Sequence, residues 1–262
     1  MPVVSPILGL MNLPPPLDPA RHALFLDFDG TLVELVDRPE DVHIPPHAVD
    51  RLAAIQIGCD GAFALLSGRR IADLDHFLSP MRFVAAGVHG LERREDPRGE
   101  VVPLAGPAGL DAIRLVLSIG VTEEPRLRLE DKGTGLVIHY RGFPDLAPAA
   151  RELVTRAVQD EPGFSVMEGD NIVEVHLAGM DKGKALAAFM THEPFVGRVP
   201  IYIGDDTTDE FGFAAVKALD GISIKVGDGP SEADFRLACV DSVHRWLGVE
   251  PVSGEGSMKE AS

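Results

Sequence analysis

One stretch constrains this chain more than any other: Ala23-Leu24-Phe25-Leu26-Asp27-Phe28-Asp29-Gly30-Thr31-Leu32. Its apolar run is long enough for a buried strand and too short for a buried helix. Strands covered on both faces read as unbroken apolar segments of this kind, and ligands of parallel sheets gather at the carboxyl ends of the strands. Asp27 and Asp29 are therefore expected at such an end, with Gly30 permitting a sharp turn. Two close carboxylates repel, and burial raises the cost. Mg²⁺ removes that cost, because it binds one or two protein carboxylates together with phosphate oxygens and water. Asp27 could then attack phosphorus and form an aspartyl-phosphate. Asp29 could protonate the leaving alkoxide and later activate water. The plainer alternative is a turn in which Asp acts as a local cap.

The rest of the chain repeats the pattern. Residues 62–66 form a second apolar run, ending in Ser67-Gly68-Arg69 before a helix expected over 70–78. A hydroxyl at that point can bind a phosphate oxygen or simply cap the helix. A third run, 83–86, leads into Gly87-Val88-His89-Gly90, where glycines around a histidine suggest backbone held near a ligand; a structural histidine is the alternative. Residues 199–203 are a further buried strand, ending in Gly204-Asp205-Asp206-Thr207-Thr208-Asp209. Those acids could complete a Mg²⁺ shell or merely favour a helix start. Asp181-Lys182-Gly183-Lys184 precedes an apolar helix over 185–190, and Lys182 or Lys184 could bind a transferring phosphate. Helices are also expected over 48–57, 211–219 and 242–247, a strand over 222–226, a loop over 34–46 and a polar hairpin turn over 93–100.

Between about Leu104 and Gly179 the periodicity changes. Helix 110–118, strands 126–130 and 136–141, helix 145–159 and the strand pair 164–167 and 172–175 follow in turn. Hairpins with helices on one face indicate a small α+β unit. The expected fold is thus α/β: a Rossmann-like parallel-sheet core from residues 1–103 and 180–262, with an α+β cap inserted at 104–179. Two linkers join them and make a natural hinge.

Composition narrows the partners. A chain of 262 residues, 45% hydrophobic, can bury a sizeable core. Its net charge of −17 excludes nucleic acid and anionic membranes as partners, so an anionic ligand must find local cations. Cys59 and Cys239 are the only cysteines and are expected as buried free thiols, which fits a cytoplasmic location. No apolar run is long enough to span a bilayer. The N-terminal 20 residues lack a basic region and contain Pro14-Pro15-Pro16, so they read as an extended lead-in, not a signal peptide. The tail 252–262 reads as disordered.

The motifs resemble the haloacid dehalogenase superfamily of phosphoryl-transfer enzymes: Asp27-Phe28-Asp29-Gly30-Thr31, Ser67 at a second strand end, Lys182 before a helix, and Gly204-Asp205-x-x-x-Asp209. From about Leu24 to Trp246 the chain is further similar to bacterial trehalose-6-phosphate phosphatases. Gly87-Val88-His89-Gly90, Glu130-x-Lys132-Gly133, His139-Tyr140-Arg141 and Val173-Glu174-Val175 carry that finer likeness. The resemblance implies catalytic roles for Asp27, Asp29, Ser67 and Lys182. It implies a Mg²⁺ site drawn from Asp27, Asp29, Asp205, Asp206 and Asp209. It implies substrate contacts by Ser67, Gly68, Arg69, His89, Gly90, Glu130, Lys132, Arg141 and Glu174, the cap acids and lysine pairing with sugar hydroxyls. The implied reaction is hydrolysis of trehalose 6-phosphate, the last step of trehalose biosynthesis, with a trehalose-phosphate synthase as functional partner. Related capped phosphatases acting on sucrose phosphate or mannosyl-phosphoglycerate, and a non-catalytic sugar-phosphate sensor, are the rivals. His176 stands where that family often has Lys.

Overall fold

The computed structural model describes residues 13–36, 38, 41–104, 110–133 and 135–249. The first part of the chain supplies β1 (His22–Leu26), α1 (Pro46–Gly58), β2 (Phe63–Leu66), α2 (Ile71–Phe77), β3 (Val84–Gly87), β4 (Glu92–Arg94) and β5 (Val102–Pro103). The middle supplies α3 (Leu110–Glu123), β6 (Arg128–Asp131), β7 (Leu136–His139), α4 (Ala147–Val158), β8 (Phe164–Gly169) and β9 (Ile172–Leu177). The last part supplies α5 (Lys182–Phe189), β10 (Val199–Gly204), α6 (Glu210–Ala218), β11 (Ile222–Val226), β12 (Phe235–Leu237) and α7 (Val240–Leu247).

An eight-stranded sheet has the order β12-β11-β10-β1-β2-β3-β4-β5, parallel from β12 to β3 and antiparallel beyond. The chain runs outward from β1 through β2 and β3, then returns on the other side of β1 as β10. That reversal creates a crevice at the carboxyl ends of β1 and β10. Register pairs Leu26 with Ile203 on one side and with Leu65 on the other. The residues just past all three strand ends, Asp27, Ser67 and Asp205, are therefore brought together by backbone pairing alone. Every residue of β1 and β2 is buried, as their continuous apolar sequence requires.

The inserted segment forms its own four-stranded antiparallel sheet, β6-β7-β9-β8. Residues on one side of this sheet pack with α3 and α4 into an apolar cluster separate from that of the large sheet. Val137 lies opposite both Glu130 and Glu174. Because directly paired residues share a face, Glu130 and Glu174 project to the same side, away from the cluster that contains Leu136, Ile138, Val173 and Val175.

Several expectations are corrected. Residues 93–100 are not all turn: Arg93 and Arg94 belong to β4. Arg94 is fully buried because its guanidinium forks onto Asp75 at 2.7 Å, donates to the Phe83 carbonyl and lies over the Phe83 ring. Cys59 is buried but Cys239 is exposed, since it sits in the turn capping α7. Lys182 begins α5 rather than preceding it, with Asp181 as the cap accepting from the Lys184 amide. β12 was not anticipated; three residues carry too little periodicity. Of the lead-in, residues 1–12 lie outside the described residues, and Pro15 accepts from the Trp246 indole at 3.0 Å. The tail 252–262 also lies outside them. No helix among the described residues is long and apolar enough to cross a membrane.

Candidate active site

At the end of β1 the chain turns sharply. Leu32 and Val33 amides bond back to the Phe28 carbonyl, and Gly30 adopts φ +75°. A side chain at Gly30 would also collide with the Asp205 carboxylate. Gly30 is thus required both by backbone conformation and by close approach.

Asp27 is buried, and the Lys182 ammonium lies 2.9 Å from its Oδ1. The same ammonium is 2.6 Å from Asp209 Oδ1. Asp209 is wholly buried and fully used. Its Oδ1 accepts from Lys182 and the Tyr202 hydroxyl, and its Oδ2 accepts from the Asp205 and Asp206 amides, each at 2.9 Å. Burial alone would lower the Lys182 pKa, but Asp209 and Asp27 outweigh it and hold the ammonium above its usual range. Burial raises Asp27 well above an ordinary carboxylate; Asp209 and Asp205 add to this while Lys182 opposes it. Burial, and then Asp209, push Asp205 up to about 6. Three crowded carboxylates thus share a single ammonium.

Oxygens of Asp27, Asp205 and Asp209 all lie within 4.8 Å of one another. An all-carboxylate donor set with unrelieved repulsion fits a hard divalent cation. The other two sequence candidates stand apart from this cluster. Asp206 is exposed and caps the turn of 207–209. Both oxygens of Asp29 are held by a 2.7 Å fork from Arg69, whose guanidinium also lies over Phe28 and Phe77.

Ser67 is buried at the end of β2, its hydroxyl accepting from the Arg69 amide. Its carbonyl accepts from the His89 amide at 2.9 Å, and the Arg69 carbonyl accepts from the Val88 amide. Val88, His89 and Gly90 all have positive φ, at 47°, 54° and 99°. Such a run is costly for non-glycine residues, and strain of this kind clusters at functional sites. It aims the His89 ring at Gly68, where a Cβ would meet His89 Nε2 at 2.8 Å. His89 Nε2 is 3.8 Å from Glu174, and His89 Nδ1 is buried without a partner. Burial, then Lys182 and Lys132, hold His89 well below its ordinary pKa.

The small sheet roofs this floor. Lys132 Nζ reaches the Gly68 carbonyl at 3.3 Å and Glu174 at 3.6 Å. Glu174 is 2% exposed, its Oε1 lacks a hydrogen bond, and burial raises its pKa against the pull of Lys132. Glu130 is bonded to His139 at 2.6 Å, which lowers its pKa. Arg141 sits 3.6 Å from Asp170. Between floor and roof lies a cleft of about 680 Å³, lined by Asp29, Gly68, Arg69, His89, Glu130, Lys132, Arg141 and Glu174 among others. The only sequence-derived contact residues outside that lining are Ser67, beneath it, and Gly90, packed on Ala185 and Asp181.

Two participants, Tyr202 and Lys225, and the role of a third, His139, escaped sequence reasoning. Tyr202 reads as one more apolar position in β10. Lys225 is buried at the end of β11 and donates to the Asp205 carbonyl. His139 orients Glu130. A lysine closing an apolar strand, as in Ile222-Ser223-Ile224-Lys225-Val226, was the available signal.

A central parallel strand thus ends in Asp-x-Asp, with Ser, Lys and an acidic loop on its neighbours and a separate small sheet above, in a two-sheet α/β fold. Solved structures agree on the fold. The C-terminal domain of a Candida albicans trehalose-6-phosphate phosphatase superposes with a TM-score of 0.73 at 21% identity, covering 88% of this chain and 91% of that one. A trehalose-6-phosphate phosphatase related protein gives 0.69 at 24% identity, covering 86% and 95%. The chain belongs to the trehalose-phosphatase family, whose model matches residues 25–241. It is 41% identical over 229 residues to the trehalose-6-phosphate phosphatase of Escherichia coli, covering 87% of this chain and 86% of that protein. It is 37% identical to a probable trehalose-phosphate phosphatase of Sinorhizobium fredii, covering 87% and 85%.

Proposed function

We propose that this chain hydrolyses trehalose 6-phosphate to trehalose and inorganic phosphate, with residues 104–179 as the cap that reads the sugar. The reading rests on one observation: Lys182 Nζ lies 2.9 Å from the Asp27 carboxylate, next to a cleft whose other wall carries Glu130, Lys132 and Glu174. Asp27 Oδ attacks phosphorus, forming an acyl-phosphate bond as the P–O bond to the sugar breaks. Asp29 delivers a proton to the departing sugar oxygen, then takes one from the water that cleaves the acyl-phosphate and frees Asp27. Lys182 and the Ser67 hydroxyl offset charge on the phosphoryl oxygens, which is most of what phosphoryl transfer asks of a protein. Substrate must first displace one arm of the Arg69 fork, since Asp29 cannot move a proton while both oxygens are held. Asp27 and Asp205 would hold Mg²⁺ with waters, Asp209 buttressing the loop because its lone pairs are already engaged. An ion held by these residues would neutralise charge on the phosphate and the acids.

Glu174 in the cap and His89 on the core loop facing it each bury a polar atom that makes no hydrogen bond, and sugar hydroxyls offer the missing donors and acceptors. A site built to pair with hydroxyls rejects analogues lacking them. Phosphate release across a sugar-phosphate panel tests the reading: trehalose 6-phosphate should lead, with EDTA stopping turnover and Mg²⁺ restoring it. Preference for sucrose phosphate or a mannosyl ester, or turnover that survives chelation, would refute it.

Gly30→Ala should separate site from fold. The added methyl must push the Asp205 carboxylate aside. Displacing a reacting group by about 1 Å costs around 10²-fold in rate, whereas a non-glycine residue in left-handed backbone costs about 1–2 kcal/mol. Phosphate release and a thermal melt on one preparation measure both.

A further inference from the structure

The chain carries a net charge of −17, yet its cleft must admit an anion. Most cations lining the cleft are already committed. Arg69 holds Asp29, Arg126 holds Glu124, Arg141 lies near Asp170, and Lys132 reaches Gly68 and Glu174. Two are not: Arg70 on the core wall and Arg128 on the cap wall are both exposed, line the cleft, and have no carboxylate at ion-pair distance among the described residues.

Of the acids that feel them, Glu130 and Asp131 have closer partners, while Asp73 and Asp206 share the cleft lining. Glu130, two residues from Arg128 on the same face, is held by His139 at 2.6 Å. Asp131 is held by Arg114 at 2.6 Å and feels Arg70 only at longer range. Nor is the Arg70 backbone free to swing away. The Arg69 carbonyl accepts from the Val88 amide at 2.9 Å, and the Ile71 amide donates to Glu92.

We propose that Arg70 and Arg128, one on each wall of the cleft, form an encounter site for phosphate-ester dianions, capturing substrate from solution ahead of the Lys182 floor. This rests on the reading that a phosphate monoester is the substrate. Two guanidinium groups without a close carboxylate, one on each wall of a cleft, raise local anion concentration and association by about 10-fold or more, and salt erases the gain. The site is an electrostatic funnel and not part of the reacting constellation. Its removal should therefore act before chemistry.

The test is kcat and KM for Arg70→Gln, Arg128→Gln and the double variant, from about 0.01 M to about 0.5 M salt, a range over which the Debye length shrinks from about 30 Å to a few Å. Trehalose 6-phosphate and p-nitrophenyl phosphate are both used. At low salt the double variant should lose about 10-fold in kcat/KM with kcat held, and the loss should fade as salt rises. Asp73→Asn should move kcat/KM the other way, because Asp73 faces the same cleft from the first turn of α2. A double variant with unchanged kcat/KM at low salt would overturn the proposal. So would a loss that salt leaves undiminished, or one carried by kcat. If p-nitrophenyl phosphate shows the salt-dependent loss while trehalose 6-phosphate is not turned over, the encounter site stands and the sugar assignment alone fails.

Discussion

Asp27→Asn is expected to abolish phosphate release, by about 10⁴-fold or more, the scale seen when a catalytic nucleophile is deleted. An amide of the same shape cannot form the acyl-phosphate bond. The fold should survive, because the substitution removes one of three crowded carboxylates. In the wild type, burial and the neighbouring acids already disfavour the charge on Asp27. Lys182 keeps Asp209 at 2.6 Å as a partner, so no buried ammonium is stranded. The melting temperature should hold or rise while activity disappears. Phosphate release and a thermal melt on one preparation decide it; turnover near the wild-type rate would remove Asp27 from the chemistry.

Asp209→Asn should have the largest effect on stability. Asp209 meets four donors: Lys182 and Tyr202 at one oxygen, and the amides of Asp205 and Asp206 at the other. An asparagine has only one acceptor oxygen. Turned one way, its NH₂ faces the ammonium and the phenol; turned the other, it faces two backbone N–H groups. Either way two buried donors lose their acceptor. Removing one partner of a buried ion pair costs about 3–5 kcal/mol. That corresponds to a fall of about 6–20 °C in melting temperature for a chain of this size. Activity should fall with it, since the loop presenting Asp205 and the aim of Lys182 both depend on that carboxylate. Asp209→Asn that melts with the wild type would show the four contacts to be dispensable. The contrast with Asp27→Asn separates the two acids, one lost for chemistry and the other for architecture.

The two substitutions also mark where sequence reasoning stops. Asp27 was legible because a short apolar run ending in paired acids has few other uses in a parallel sheet. Lys182 and Asp205 were among the candidates for the same reason, each beside an apolar element, with Lys184, Asp206 and Asp209 reading alike. The different employment of Asp205, Asp206 and Asp209 was not legible. All three follow one strand, and only the return of the loop shows that Asp209 turns inward to four donors while Asp206 faces water. Asp29 likewise reads as a free carboxylate until Arg69, which is distant in sequence, is seen to clasp it. Tyr202 looked like core because its ring is core; only its hydroxyl, at the rim of the apolar cluster, reaches the acids.

Local patterning by itself determined the alternation of strands and helices, the interruption by a second sheet, and which strand ends carry acids, hydroxyl and lysine, because periodicity and strand length depend on near neighbours along the chain. Tertiary structure alone decided which carboxylates stay available and which are spent, that Arg94 is buried and Cys239 is not, and that Arg70 and Arg128 have no carboxylate at ion-pair distance among the described residues. Those outcomes depend on contacts between residues far apart in sequence, and the free energy of a buried charge is set by whatever the fold places beside it.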